Sequence, residues 1–338
     1  MNKSTLWLTV LSVMAAALVL ANILCGSVDV SLTAAWQALT GQDTHSTASI
    51  IILHHRLPQA IAALLGGAAL AVSGLLLQTA FSNPLADPSI LGINSGASLG
   101  VGIAVIVMGG SLAGNVFSLS GFLLTVLAAL AGAAVVILLL LFFSSLVQGN
   151  LMLLIIGLML SYAASSLISM LNYLASADSL QAFVIWGLGS FGGISVAQLP
   201  AFSITIAVGL LASLMLVKPL NALLLGHRYA ANLGVNVRRT RALLLLTTGI
   251  LSATVTAFCG PIAFLGLAVP HVARMLLGTV NHRSLLPTTL LCGSVIALAC
   301  NLLCNLPTQH GLLPINVVTP LFGVPIILYV LLGRRRDR

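Results

Sequence analysis

Apolar runs, each about the ~20 residues a helix needs to cross a bilayer, follow one another along this chain, and its charge lies almost wholly in the gaps between them. The runs fall near residues 5–25, 57–81, 90–108, 119–143, 151–174, 197–217, 242–259, 261–278, 285–306 and 313–332. With 59% apolar and only 5% charged residues, the 338-residue chain lacks the charge a soluble surface needs. The expectation is an all-α polytopic membrane protein of about ten transmembrane helices, folded as one domain over residues 1–338. No small-residue cleavage motif follows residues 5–25, so that run counts as the first helix.

The charges supply a sidedness. An even number of crossings puts both termini on one side, and the four arginines of the 333–338 tail make that side the cytoplasm. Lys3, the cations of Lys218–Arg241, Arg274, Arg283 and the tail then all fall inside, leaving Arg56 as the only one of thirteen cations outside. Asp29, Asp43 and Asp178 fall outside with it. The net charge of +8 therefore marks topology, and no nucleic-acid groove is expected.

The most charged internal stretch is KPLNALLLGHRYAANLGVNVRRTR, Lys218–Arg241, with five cations in twenty-four positions. Leu223, Leu224, Leu225, Tyr229 and Leu233 recur at roughly helical spacing, and Gly226 and Gly234 cut the pattern into two short pieces. This reads as a compact helix-turn-helix offering an apolar face and cations to a soluble partner. A solvated basic loop that only fixes topology reads the composition equally well.

Two other stretches stand out. In Arg56–Gly100, small residues at Gly66, Gly67, Ala68, Ala69, Ser73 and Gly74 allow close helix approach, and Asn83-Pro84-Leu85-Ala86-Asp87-Pro88 ends the helix in a rigid polar elbow. Around Cys259-Gly260-Pro261 the backbone must break, and in lipid a break has to be covered by protein or line a cavity. GPIAFLGLAVPH, Gly260–His271, is thus a candidate path lining, or else a kinked packing helix. The five cysteines, Cys25, Cys259, Cys292, Cys300 and Cys304, form no CxxC and read as small buried hydrophobes. His54 and His55 lack a carboxylate or thiolate partner and read as interfacial polar residues, so no metal site is expected.

RLPQ, GAALAVSG and NPLADP in Arg56–Gly100, the Lys218–Arg241 loop, GPIAFLGLAVPHVAR with HRSLLP, and the closing LPINVVTPLFGVPIILYVLLGRRR together resemble the FecCD-like permeases. These are the membrane subunits of binding-protein-dependent ABC importers for ferric siderophores, haem and cobalamin. The resemblance implies a type II importer permease fold, a homodimer, two cytoplasmic ATP-binding subunits that hold the ATP and magnesium, an extracytoplasmic binding protein, and a bacterial inner membrane. It assigns ATPase coupling to residues 219–237 and their flank, namely Leu223, Leu224, Leu225, Gly226, Arg228, Tyr229, Leu233, Gly234, Arg238 and Arg239. It places a gate at the Asn83, Pro84 and Leu85 elbow, beside the candidate path read above from the Gly260-Pro261 break, and binding-protein docking on Arg56. Alternating access on a bulky metal chelate follows, with ferric siderophore ahead of cobalamin or haem.

The chain departs from the family pattern at three places: Gln59 stands where a second arginine is usual, Asn301-Leu302-Leu303-Cys304-Asn305 replaces an Asp-Leu-Leu-x-Arg pattern, and Leu312 replaces an acidic residue. Docking by salt bridges alone is therefore not expected. Neither lysine, Lys3 or Lys218, lies in a GxxxxGK[ST] loop, so ATP hydrolysis is expected in another polypeptide and no catalytic residue here. An ion-coupled secondary transporter would hold carboxylates near the midplane, and no aspartate falls in an expected span.

Overall fold

In a computed structural model, residues 3–26, 28, 30–42, 46–107, 119–147, 149–306 and 313–333 are described, and among them only helices, turns and irregular segments occur. Asp29, Asp43, Leu312 and the arginines of 334–338 lie outside the described residues. Among the described residues, six helices are long and apolar enough to cross a membrane: α1 (Lys3–Leu24), α3 (Thr47–Ala80), α5 (Leu119–Leu146), α6 (Asn150–Leu174), α11 (Val237–Cys259) and α13 (His282–Cys304). Between α6 and α11, α8 (Leu199–Met215) turns by 52° into α9 (Val217–Leu223), a bent pair that passes the same test. Three shorter apolar helices, α4 (Ile93–Gly102), α12 (Leu265–Leu277) and α14 (Ile315–Gly333), fall on the three remaining apolar runs.

Two short helices were not expected from hydropathy. α2 (Leu32–Leu39) and α7 (Ala177–Gly187) each start on a serine, Ser31 or Ser176, whose side chain accepts a backbone amide of the first turn. The last short helix, α10 (His227–Asn232), lies in the basic loop. Within α3, Ile51–Arg56 winds as a π-helix, whose wider turn leaves His54 and His55 exposed while Ile52 and Arg56 are buried.

The chain divides into two compact units. The first comprises residues 1–72, 190–207 and 262–338. Here α13 packs against α1, α12 and α14. α3 meets α13 glycine on glycine: a Cβ on Gly67 would run into the Gly293 carbonyl, and one on Gly293 into the carbonyl of Gly67. In lipid, such backbone contact supplies packing where hydrophobic expulsion is absent. The second unit comprises residues 73–189 and 208–261, where α5 packs on α4 and α11. Gly96 and Gly100 of α4 fit against Gly132 and Ala128 of α5 in the same way. Asn94 of α4 accepts hydrogen bonds from Ser252 and Thr256 of α11, both at 3.1 Å, so the buried amide oxygen is matched. Four of the cysteines are buried as expected, whereas Cys25 is exposed, because α1 ends one residue before it.

Candidate functional site

The Lys218–Arg241 loop folds as two short helices on glycine turns. Leu216 and Ser213 close the end of α8, α9 follows, and the chain reverses at Gly226 with φ +97° before α10. A second left-handed residue, Gly234 at φ +83°, leads to Asn236, whose side chain caps α11 by accepting the Arg239 amide at 2.9 Å. Nothing lies within 4 Å of a Cβ built on either glycine, so backbone conformation and not crowding demands them.

This fold sorts the apolar residues into two sets. Leu220, Leu223 and Ala230 point inward and hold the loop together. Leu224, Leu225, Tyr229 and Leu233 are exposed, with Arg228, Arg238 and Arg239 exposed beside them. Leu223 therefore anchors the surface and does not form part of it, a correction to its grouping with Leu224 and Leu225. Arg241 turns the other way and donates to the Val147 carbonyl at 3.3 Å. His227 is half-buried, and burial, with the nearby Arg241 as a second cause, holds its pKa below the ordinary value.

Arg56 is not an exposed cation. It is 7% accessible, and its guanidinium donates to the carbonyls of Ile23 (3.1 Å), Leu24 (2.8 Å) and Val28. These carbonyls close the last turn of α1 and the segment beyond it, so Arg56 caps α1 from α3. Gly26 leaves the room: a Cβ there would lie 2.9 Å from the guanidinium. One turn along α3, Gln59 donates to the side-chain oxygens of Asn301 (3.0 Å) and Asn305 (3.2 Å). Asn301 in turn donates to Asn22 (2.8 Å), and Asn22 to the Leu18 and Leu298 carbonyls. Two of the three departures from the family's charged pattern, Gln59 and the Asn301–Asn305 stretch, thus meet in one neutral amide network tying α1, α3 and α13 together.

At the elbow, Asn83 accepts the Leu85 amide at 2.9 Å and Leu85 is exposed, while Asp87 is buried and accepts both the amide and the hydroxyl of Ser89. Burial raises the Asp87 pKa, and the Ser89 bonds oppose that rise. α11 stops at Cys259. Gly260, at φ +75°, leaves no room for a Cβ against the Trp186 carbonyl. In the other unit Phe264 takes φ +70° before α12, and Asn316 accepts the Ala263 amide at 3.1 Å. The expected break is therefore five residues of irregular backbone, partly satisfied by a side chain.

A family model described as the FecCD transport family matches residues 14–333. The chain belongs to the FecCD transport family. Among FecCD relatives, the hemin transport system permease protein HmuU of Yersinia pestis is 34% identical over 91% of each chain. The vitamin B12 import system permease protein BtuC of Citrobacter koseri is 33% identical over 99% of this chain and 96% of its own. A solved structure described as an inward-facing conformation of a metal-chelate type ABC transporter matches with a TM-score of 0.83 at 30% identity, covering 97% of this chain and 98% of that one. The resemblance read from four stretches is therefore borne out across nearly the whole length. Sequence reasoning noticed Gln59, Asn301 and Asn305 one at a time. It missed that they touch each other, because their contacts span 242 and 246 residues of chain.

Proposed function

We propose that this FecCD permease is the membrane subunit of an ATP-driven importer of a bulky metal chelate. A ferric siderophore comes first as cargo, and haem or cobalamin are the alternatives carried by name in the similar relatives. In this reading two copies, each crossing the bacterial inner membrane ten times with both termini in the cytoplasm, enclose a path between them. The single observation that carries it is the exposed Leu224, Leu225, Tyr229 and Leu233 surface, rimmed by Arg228, Arg238 and Arg239, held out from membrane helices on two glycine turns. Such a surface needs a soluble protein against it, and an ATP-binding subunit supplies the energy source that this chain lacks.

Alternating access follows from this surface. Closure of the paired ATP-binding subunits, with ATP and magnesium on them, pulls on α9 and α10 and so on α8 and α11, which lead into the loop. The elbow at Asn83–Leu85 and the break at Gly260–Pro261 are the places where backbone already departs from helix and where a gate costs least to move. Binding-protein docking, assigned to Arg56 by resemblance, is better supported at the half-buried Gln59 and Asn305 with His54 and His55, since Arg56 is committed to three carbonyls.

The test is uptake of labelled ferric siderophore, haem and cobalamin by cells lacking the gene, complemented with the wild type or with a Leu233→Ala, Arg238→Ala, Arg239→Ala variant. Dependence of one chelate on the gene, lost in a variant that still reaches the membrane, is the expected result. Normal uptake by the variant overturns the coupling role, and no dependence on the gene overturns the importer reading.

A further inference from the structure

α2 has two apolar faces, and among the described residues protein covers only one. Ala35 and Ala38 are buried in a cluster with Ile23 of α1 and Ile52 of α3. On an adjoining side Leu32, Trp36 and Leu39, spaced i, i+4 and i+7, are 71%, 67% and 44% exposed. The helix carries no charged residue. Its start is fixed twice over: the Ser31 side chain caps it, and Arg56 clamps Ile23, Leu24 and Val28 in the stretch that leads to it from α1.

We infer that α2 lies in the interfacial layer of the bilayer and that lipid covers its Leu32, Trp36 and Leu39 face. The inference rests on the reading of α1 as a membrane span, and continuity carries it. α1 presents exposed apolar residues along its length, among them Leu6, Val10, Val13 and Leu20, and ends at Leu24, eight positions before α2 begins. Lipid that covers α1 therefore reaches the corner where the clamped chain turns. A tryptophan beside two leucines, on a short helix at the end of a span, suits the headgroup boundary, where an amphipathic ring is favoured. A docking protein of opposite charge finds no charged group on this helix to recognise, and headgroup charge has no handle on it either.

The test uses the full chain in phosphatidylcholine vesicles with Trp36 as the only tryptophan, through Trp7→Phe and Trp186→Phe. Doxyl lipids labelled near the headgroup should quench Trp36 about twofold more than lipids labelled near the chain end, with little quenching by aqueous acrylamide. Including anionic lipid should leave the result unchanged. Strong acrylamide quenching without doxyl quenching overturns the inference, as does shielding from both quenchers, which would place a second copy or another protein on this face. A variant retaining only Trp7, on α1, separates the two readings: doxyl quenching of Trp7 with none of Trp36 sinks the α2 inference alone, and quenching of neither sinks the membrane reading beneath it.

Discussion

Arg56 and the arginines of the Lys218–Arg241 loop are the same side chain put to opposite uses. Arg238 and Arg239 stand exposed on the first turn of α11, a position where the helix dipole disfavours a cation, and no side-chain partner among the described residues holds them there. Arg56 is withdrawn from solvent onto carbonyls that α1 cannot satisfy itself. The lesson is that in a chain with five acids, a buried cation is matched by backbone, whereas an exposed cluster of cations awaits something outside the chain. The experiments below set the two regions against each other.

The largest effect is expected in the loop. Truncating Tyr229 and Leu233 together to Ala should weaken association with the ATP-binding subunit about a thousandfold, at roughly 2 kcal/mol for each buried anchor. The melting temperature of the purified permease should hardly change, since both residues are exposed. Copurification of the ATP-binding subunit and substrate-stimulated ATP hydrolysis read this out. A large loss of thermal stability would instead make these residues part of the fold.

Arg56→Ala should do the reverse. It strips the carbonyls of Ile23, Leu24 and Val28 of their donor in a partly buried corner, at about 2–3 kcal/mol in total. Thermal stability and membrane abundance should fall while binding of the ATP-binding subunit by the surviving protein is normal. Arg56→Lys should rescue only part, because one ammonium lacks the planar spread of donors. If Arg56→Ala is as stable as the wild type and fails only to engage the binding protein, the docking role returns and the capping role is lost.

How far this contrast could be read in advance depends on the range of the interaction. The apolar runs located the long helices, and the glycines at 226 and 234 marked the loop's turns, because both signals are local. Leu223 was misgrouped since helical spacing cannot say which of three consecutive leucines faces inward once a turn intervenes. Arg56 looked like a free outer cation because its partners are backbone carbonyls, which no sequence pattern displays. α2 was visible in principle through Ser31 and the Leu32, Trp36, Leu39 spacing, but its eight residues are too short for a hydropathy run.

A smaller effect is expected from the amide network. Asn301→Leu leaves Asn22 without its donor and Gln59 without one acceptor, at roughly 1–2 kcal/mol. A lowered melting temperature with intact loop binding would place this network with Arg56 on the structural side. Because the network is neutral, docking of the binding protein to the wild type should vary little between low and moderate salt. A steep salt dependence would mean that charges elsewhere carry docking.

The least effect, and the one that probes the loop's interior, concerns His227. Burial, with Arg241 second, lowers its pKa below the ordinary value of 6.5, so the folded loop favours the neutral imidazole, while an opened loop takes up a proton at the ordinary value. The opened state thus binds more protons in the window beneath that value, and loop stability, fully present above it, declines as pH falls through it. Backbone hydrogen exchange across residues 217–236, corrected for intrinsic rates, should show more frequent opening at mildly acid pH than at neutral pH. His227→Gln should flatten that dependence without disturbing Arg56 and its carbonyls. A pH response unchanged in the variant would move the titrating group elsewhere, and the loop's exposed surface would then sit on an interior indifferent to protons.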